Sequence, residues 1–344
     1  MTCNSHCYTY KITSLIILIF LIFFMISTLG CPSATSTESP SIPSSNEDAL
    51  TPKVVTHIDR WGIYVLDIAT EETELLYGSI NKIAFLNLNK SGDTLAFSQQ
   101  FEGDNSESEE ICTLELINGD FTRLTNNNLM DVYPVWSPDG THIAFLSWRD
   151  KDLDIFVIEK SGRNQMGLYD SGYHDADIDW VGERIVFTAE SRIWIMYDNG
   201  TNPVSVTDPP NAGSWGKANL PFGDYDPRLS PDGNRIAFER LEDDTSIHGN
   251  YNIYVINSDG SEEVRLTNTG YSQGIVSWSH KADKMVFVVG AIEDEGKYDM
   301  YLVSEDGSNT VNITPTYFPP DFVCYTPVFS IDDSKIFFIG EWWE

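Results

Sequence analysis

Three aspartates fall at one recurring place in the sequence. Asp131, Asp175 and Asp224 each stand five residues before the end of a short stretch, closing at Trp136, Trp180 and Leu229, and Gln273 holds the same place before Trp278. Carboxylates brought together from successive repeats would offer several oxygens to one hard cation, and Ca2+ suits such a set. The alternation Asp175-Asp177-Asp179 would add carboxylates on the same side of a strand. The competing account is local: each aspartate caps its own turn or accepts nearby backbone amides. Other chemistry is sparse. Gly270-Tyr271-Ser272-Gln273-Gly274 matches G-x-S-x-G, but it links two repeats and lacks the strand and helix that a nucleophile elbow needs. His6, His57, His142, His174, His248 and His280 are scattered, without a pair at helical spacing. Cys112 and Cys324 occupy different places in the repeat and have no histidine at metal-ligand spacing. No catalytic set emerges.

The elements that would position these residues are strands. Asp131 to Leu168 reads as one four-stranded antiparallel unit. A strand ending at Trp136 meets the turn Ser137-Pro138-Asp139-Gly140, where Pro fixes φ and Gly accepts φ > 0. Ile143-Ala144-Phe145-Leu146 follows, then Asp154 to Ile158, both short runs of β-formers. The second strand recurs at Leu95, Ile185, Ile236, Met285 and Ile336, at intervals of 48, 42, 51, 49 and 51 residues. A period of 40–50 residues with four short strands per unit is the signature of a β-propeller. The first copy, at Ile63 to Leu66, supplies only outer strands, and the last, at Phe329 and Ile336, only inner ones. Together they complete a sixth blade, so the expected fold is an all-β, six-bladed propeller with its ring sealed by the earliest and latest strands, which removes exposed edges.

The motifs carry a resemblance. Pro134 to Gly140 with Ile143-Ala144-Phe145 and Asp154-Ile155-Phe156-Val157, and Pro227 to Phe238 with Ile253-Tyr254-Val255-Ile256 and Arg265-Leu266-Thr267, closely resemble the repeat of TolB-like propellers, over roughly residues 55–344. The resemblance implies a rigid disc with a central channel, used for protein or ligand binding. TolB itself carries an α/β domain beside its propeller. Residues 1–53 do not read as one, so its partnership with a peptidoglycan-associated lipoprotein is not carried over. Nor does the sequence show the α/β-hydrolase domain that prolyl-oligopeptidase-like enzymes join to related propellers.

The first 53 residues have another character. Lys11 is the one charge before residue 31, and Leu15 to Ile26 is an unbroken apolar run. Its twelve residues suit the core of an export signal and fall short of the roughly 20 needed for a spanning helix. Gly30-Cys31 resembles a lipoprotein signal, which implies lipidation at Cys31; an uncleaved anchor and plain secretion are the other two readings. Residues 31–53, rich in Ser, Thr and Pro, read as a tether that cannot bury enough surface to fold. The expected organisation is a signal at 1–30, a tether at 31–53 and a propeller at 54–344. Either way the propeller is exported, periplasmic or on the outer face of the membrane.

With 52 acidic against 21 basic residues the chain carries a net charge of −31. That disfavours nucleic acid and anionic membrane surfaces, leaving the membrane to the N-terminal anchor alone. In a propeller the loops from second to third strand share a face with the connections between blades, and here those segments vary most. They hold Phe101, Trp215, Phe222, Tyr317, Phe318 and Phe322, with acids such as Glu109, Glu110, Asp243 and Glu293. Variable loops on a rigid scaffold are where binding usually sits. The expected function is a monomeric, non-catalytic scaffold that uses this acidic, aromatic face to bind a protein or peptide of the cell envelope. A metal-assisted lyase or hydrolase at the channel mouth, with Asp131, Asp175 and Asp224 as ligands, and a carbohydrate-binding module are the alternatives.

Overall fold

A computed structural model describes residues 53, 55–56, 59–101, 108–149, 151–216, 221–243, 250–268, 271–290 and 298–342. The expected signal, Cys31 and the expected tether up to residue 52 lie outside the described residues. Val55–Glu344 form one compact unit.

That unit is a six-bladed propeller of four-stranded antiparallel sheets. Blade 1 comprises Ile83–Leu88, Thr94–Gln99, Glu110–Glu115 and Phe121–Arg123, and blade 2 Asp131–Trp136, His142–Arg149, Asp152–Glu159 and Met166–Tyr169. Blades 3, 4 and 5 begin at Ala176–Val181, Gly223–Leu229 and Ser272–Trp278. In blade 6, Phe322–Phe329 and Lys335–Trp342 supply the inner strands while Trp61–Asp67 and Thr73–Ser79 supply the outer ones. Trp61 to Asp67 pairs antiparallel with Lys335 to Glu341 without a break in register. The first strands of neighbouring blades touch all the way round, that of blade 6 meeting that of blade 1, so they surround the channel.

Local chemistry explains the repeat. The Ser-Pro-Asp-Gly turn is held from within: Ser137 Oγ donates to Asp139 Oδ1 at 2.6 Å and accepts from the His142 N–H at 2.9 Å, and Gly140 takes φ 68°. Ser230 with Asp232 and Ser330 with Asp332 repeat the bond. In the second strands, alternate residues point into the space between blades. Phe97, Phe145, Phe187, Phe238, Phe287 and Phe338 occupy the same place in the six blades and are all fully buried. Truncating such a residue to Ala costs about 3–5 kcal/mol.

The seam between the two ends of the fold carries its own packing. Tyr64 from the outer pair stacks on Phe338 (ring centroids 5.5 Å apart) and meets Phe322 edge-on at 5.3 Å. The backbone at Gly340 gives these rings room, since a Cβ there would overlap the Phe322 ring and come within 2.7 Å of Tyr64. Gly340→Ala is therefore expected to lower stability by about 1–3 kcal/mol, the usual overpacking cost. A downward shift of the urea midpoint with an unchanged slope would report it.

Candidate functional site

Each first strand contains one extra residue, and that residue shapes the channel. The register slips between Ala84 and Asn87, Val132 and Val135, Ala176 and Asp179, Tyr225 and Arg228, Gly274 and Ser277, and Tyr325 and Val328. At the bulge sit Phe85 (φ 56°), Tyr133 (59°), Asp177 (49°), Asp226 (52°), Ile275 (56°) and Thr326 (44°), all in the left-handed region. A non-glycine residue held there costs on the order of 1–3 kcal/mol and persists only when its surroundings enforce it. The bulge residue and the one two places later share the channel side. The result is a ring of Phe85, Tyr133, Asp177, Asp226, Ile275 and Thr326, and a second of Asn87, Val135, Asp179, Arg228, Ser277 and Val328.

A cavity of about 510 Å³ occupies the channel and is lined by first-strand residues of all six blades, among them Phe85, Tyr133, Asp179, Arg228, Ile275 and Thr326. Trp136, Trp180 and Trp278 also line it. Its remaining lining, Lys90, Pro138, Gly182, Asp232 and His280 included, comes from the tight turns between first and second strands. The cavity thus opens on the face of the constant turns, opposite the variable loops.

In the two rings the charged side chains stand in blades 3 and 4, and the other four blades carry uncharged ones. Arg228 pairs with Asp226 at 2.8 Å and donates to the Tyr133 hydroxyl at 2.6 Å, while that hydroxyl donates to Asp226. The Asp226 N–H donates to Asp177 Oδ2 at 3.3 Å, the Leu229 N–H to Asp179 Oδ2 at 2.8 Å, and the Ile275 N–H to Glu239 Oε1. The Phe85 and Tyr133 rings lie 4.4 Å apart. Burial raises the Asp177 and Asp179 carboxyls above their ordinary range. Burial, then neighbouring Asp226, holds the Glu239 proton well beyond the usual carboxylate range. Burial works against the charge on Arg228, but Asp226, Asp179, Asp177 and Glu239 outweigh it and raise its pKa. The group can recognise charge and store a proton.

The aspartates singled out from sequence are not brought together. Asp131 accepts from Ser147 Oγ and, at 2.7 Å, from Asn127 Nδ2. Asp175 accepts the Ser171 N–H at 3.2 Å, and burial raises its carboxyl to about 7. Asp224 binds Arg240 through both oxygens, at 2.6 and 2.9 Å, and Arg240 also holds Glu263. Each is engaged within its own neighbourhood, as the local account holds, and among the described residues no group of three or more His, Cys, Asp or Glu is arranged to hold a metal ion. The expected Ca2+ ligand set is corrected accordingly.

The aromatic face also dissolves. Phe318 (4% exposed), on the connection into blade 6, and Phe322 (1%), which opens the first strand of that blade, belong to the core cluster with Tyr64 and Phe338. Tyr317 packs on that cluster and donates its hydroxyl to the Glu71 carbonyl at 2.8 Å. Phe101 lies half-buried beneath the Arg123 guanidinium, 4.1 Å away, and Phe222 is half-buried as well. Trp215 alone of the six is exposed, at 46%. Of the acids named beside them, Glu109 and Glu110 are buried and paired with Lys82 and Arg123, Glu293 lies outside the described residues, and the side chain of Asp243 is likewise not described. Ser272 of the G-x-S-x-G match opens the first strand of blade 5 and accepts the Tyr251 N–H at 3.4 Å, with no elbow.

Sequence reasoning missed Tyr133, Asp226, Arg228 and Glu239. A signal existed for the last: the residue after the second-strand Phe is Ser98, Leu146, Thr188, Val288 or Ile339 in the other blades, and glutamate in blade 4.

Comparison with known proteins agrees with this architecture. No family model matches the chain. An uncharacterised protein of Agrobacterium fabrum is 24% identical over 182 residues, 49% of this chain and 58% of that protein. A TolB homologue of Chlorobium luteolum is 24% identical over 143 residues, 40% of this chain and 30% of its own length. The matches thus span less than two-thirds of either curated relative. Among solved structures, an Agrobacterium tumefaciens protein described as a TolB gives a TM-score of 0.63 at 17% identity, over 83% of this chain and 99% of that one. TolB from Acinetobacter baumannii gives 0.58 at 17%, over 73% and 62%. An oligogalacturonate lyase from Vibrio parahaemolyticus gives 0.50 at 12%, over 82% and 96%. The fold is that of the TolB propellers, as the motifs implied, and it is shared with an enzyme.

The raised carboxyls set the pH response. Because the folded pKa of Glu239 lies above its unfolded value, its contribution is complete below the usual carboxylate range and is lost as pH rises. Glu239→Gln keeps the acceptor for Ile275 and cannot ionise. It is expected to melt higher than the wild type at pH 8–9, with little difference at pH 4. Asp175→Asn should remove a second loss confined to about pH 4–7. Thermal melts across pH 4–9 check both, and parallel curves for variant and wild type would contradict the assignment.

Proposed function

We propose that this chain is an exported, non-catalytic binding propeller that receives a peptide, or an extended segment of a cell-envelope protein, in its channel cavity. The observation that carries this reading is the cavity itself: about 510 Å³, reached from the turn face, with three tryptophans in its lining and a hydrogen-bonded charged floor. Ligand sites are concave and mostly apolar, with a few polar groups placed to orient what enters. The similarity in fold to TolB proteins supports a binding role in the envelope. Export through residues 1–30, lipidation at Cys31 and a tether reaching roughly 25 Å as a flexible coil complete the proposal. The lyase reading gains no support from the described residues, since Asp131, Asp175 and Asp224 are engaged separately. Stacking of a sugar on the loop aromatics is weakened by the burial of Phe318 and Phe322.

The test separates the two faces. Ser277 lines the cavity, and Ser277→Trp would fill it; Trp215 lies outside it on an exposed loop. With the full chain extracted in detergent and used as bait on solubilised envelope of the source organism, Ser277→Trp is expected to reduce partner capture at least tenfold. Trp215→Ala is expected to leave it within twofold. The reverse pattern would return the site to the variable loops.

A further inference from the structure

We propose that the floor of the cavity is an anchor for one organic cation, the ammonium or guanidinium of a lysine or arginine carried by the bound segment. This rests on the channel reading above and names what the channel recognises.

The argument begins with Asp179. It lines the cavity at 9% exposure, and Leu229 donates its backbone N–H to Oδ2. No described Lys, Arg or His makes a direct ion pair with it, and Arg228 acts on it only at longer range. The one guanidinium on the floor, Arg228, is engaged by Asp226 at 2.8 Å and by Tyr133 at 2.6 Å. A carboxylate taken out of water without a direct ion pair is unfavourable. A cation arriving from the cavity would supply a direct ionic partner. Asp177, Asp226 and Glu239 do not line the cavity but stand in the same network, so four carboxyls face a single guanidinium. Even with a proton held on Glu239, the balance at the floor favours positive charge.

The surroundings fit a cation on an apolar stem better than a bare metal ion. A hard ion wants six to eight oxygens, whereas this floor offers one carboxylate without a direct ion pair, beside ring faces. Phe85 and Tyr133 present touching aromatic rings on the floor, and Trp136, Trp180 and Trp278 line the cavity. Aromatic faces attract ammonium and guanidinium groups, and the methylenes of Lys or Arg pack on apolar walls. The mouth does not oppose entry. Lys90 and Arg184 are matched there by Glu183 and Asp232, and Arg184 stacks on Tyr197 at 4.0 Å. At longer range the net charge of −31 draws in cationic partners.

Two blocked pentapeptides, acetyl-Ala-Gly-Lys-Gly-Ala-amide and the same peptide with norleucine for lysine, test the anchor against the full chain in detergent. Tryptophan fluorescence titration gives the readout. The lysine peptide is expected to bind at least tenfold more tightly than its norleucine counterpart and to weaken as salt is raised. Asp179→Asn should abolish the preference while Asp179→Glu, which keeps the charge, retains it. The wild-type comparison stands even if a variant fails to fold. Equal binding of the two peptides overturns the cation anchor and leaves the channel reading intact. Binding of neither overturns the anchor, and the channel reading falls with it only if Ser277→Trp also retains partner capture.

Discussion

Seven residue pairs between Trp61–Asp67 and Lys335–Glu341 hold the ring shut, and everything in the channel depends on them. Without that pairing, blades 1 to 5 would form an open arc with bare strand edges, and Phe322–Phe329 would not meet the first strand of blade 1. The pairing joins segments some 270 residues apart, so closing the loop costs about 5 kcal/mol in chain entropy. The strand hydrogen bonds, at about 0.5–1.5 kcal/mol net each, roughly offset this and leave little margin. The aromatic seam of Tyr64, Phe318, Phe322 and Phe338 supplies the margin, since each buried ring contributes about 1.5–3 kcal/mol. That explains why aromatics which look like an exposed rim in the sequence are buried. Phe318 on the connection and Phe322 at the start of the strand lie where the seam needs apolar surface.

Closure also fixes what the bulges can do. A bulge bends its strand and increases the local twist, and in six first strands at once it turns two residues per blade toward the axis. Six left-handed residues represent strain of several kcal/mol in total. The strain is distributed as the ring is, one residue per blade, and it is borne by side chains as different as Phe85, Asp177 and Ile275. The backbone feature is therefore a property of the repeat, not of any one residue type. The chemistry of the channel is a second layer of information written on that common frame.

This division decides what could be read from the amino acids. The repeat, the blade count and the split blade follow from spacing and from the recurrent second strand, because burial of its Phe imposes one residue type at one place. The turns follow from Ser, Pro, Asp and Gly, whose φ preferences are local. The site was less legible. Counting five residues back from Trp136 and Trp180 assumes an unbroken alternation, and the bulge inserts a residue between the count and the channel. Asp131 and Asp175 thereby come to rest at the strand entrance against their own loops, while Tyr133 and Asp177 take the axis. Left-handed φ at a tyrosine or an isoleucine has no signature in the sequence. A glutamate after the second-strand Phe of blade 4 does have one, since a charge in the middle of a buried strand demands a partner.

The ring supplies its own comparison for judging that charge. Equivalent places hold Val135 and Val328 where blades 3 and 4 hold Asp179 and Arg228, and Phe85 and Ile275 where they hold Asp177 and Asp226. The same bulge, in the same fold, accepts apolar side chains without ionisable groups. Buried charges desolvate at a cost that mutual attraction rarely recovers in full, and apolar replacements of similar size tend to stabilise. Folding alone would therefore favour an apolar channel on all six sides. The polar half is a local concession of stability, confined to two adjacent blades and joined to Tyr133 across the axis and to Glu239 behind it. A concession so placed, beside rings that the other four blades keep uncharged, has the asymmetry of a surface built to orient a ligand by its charged end.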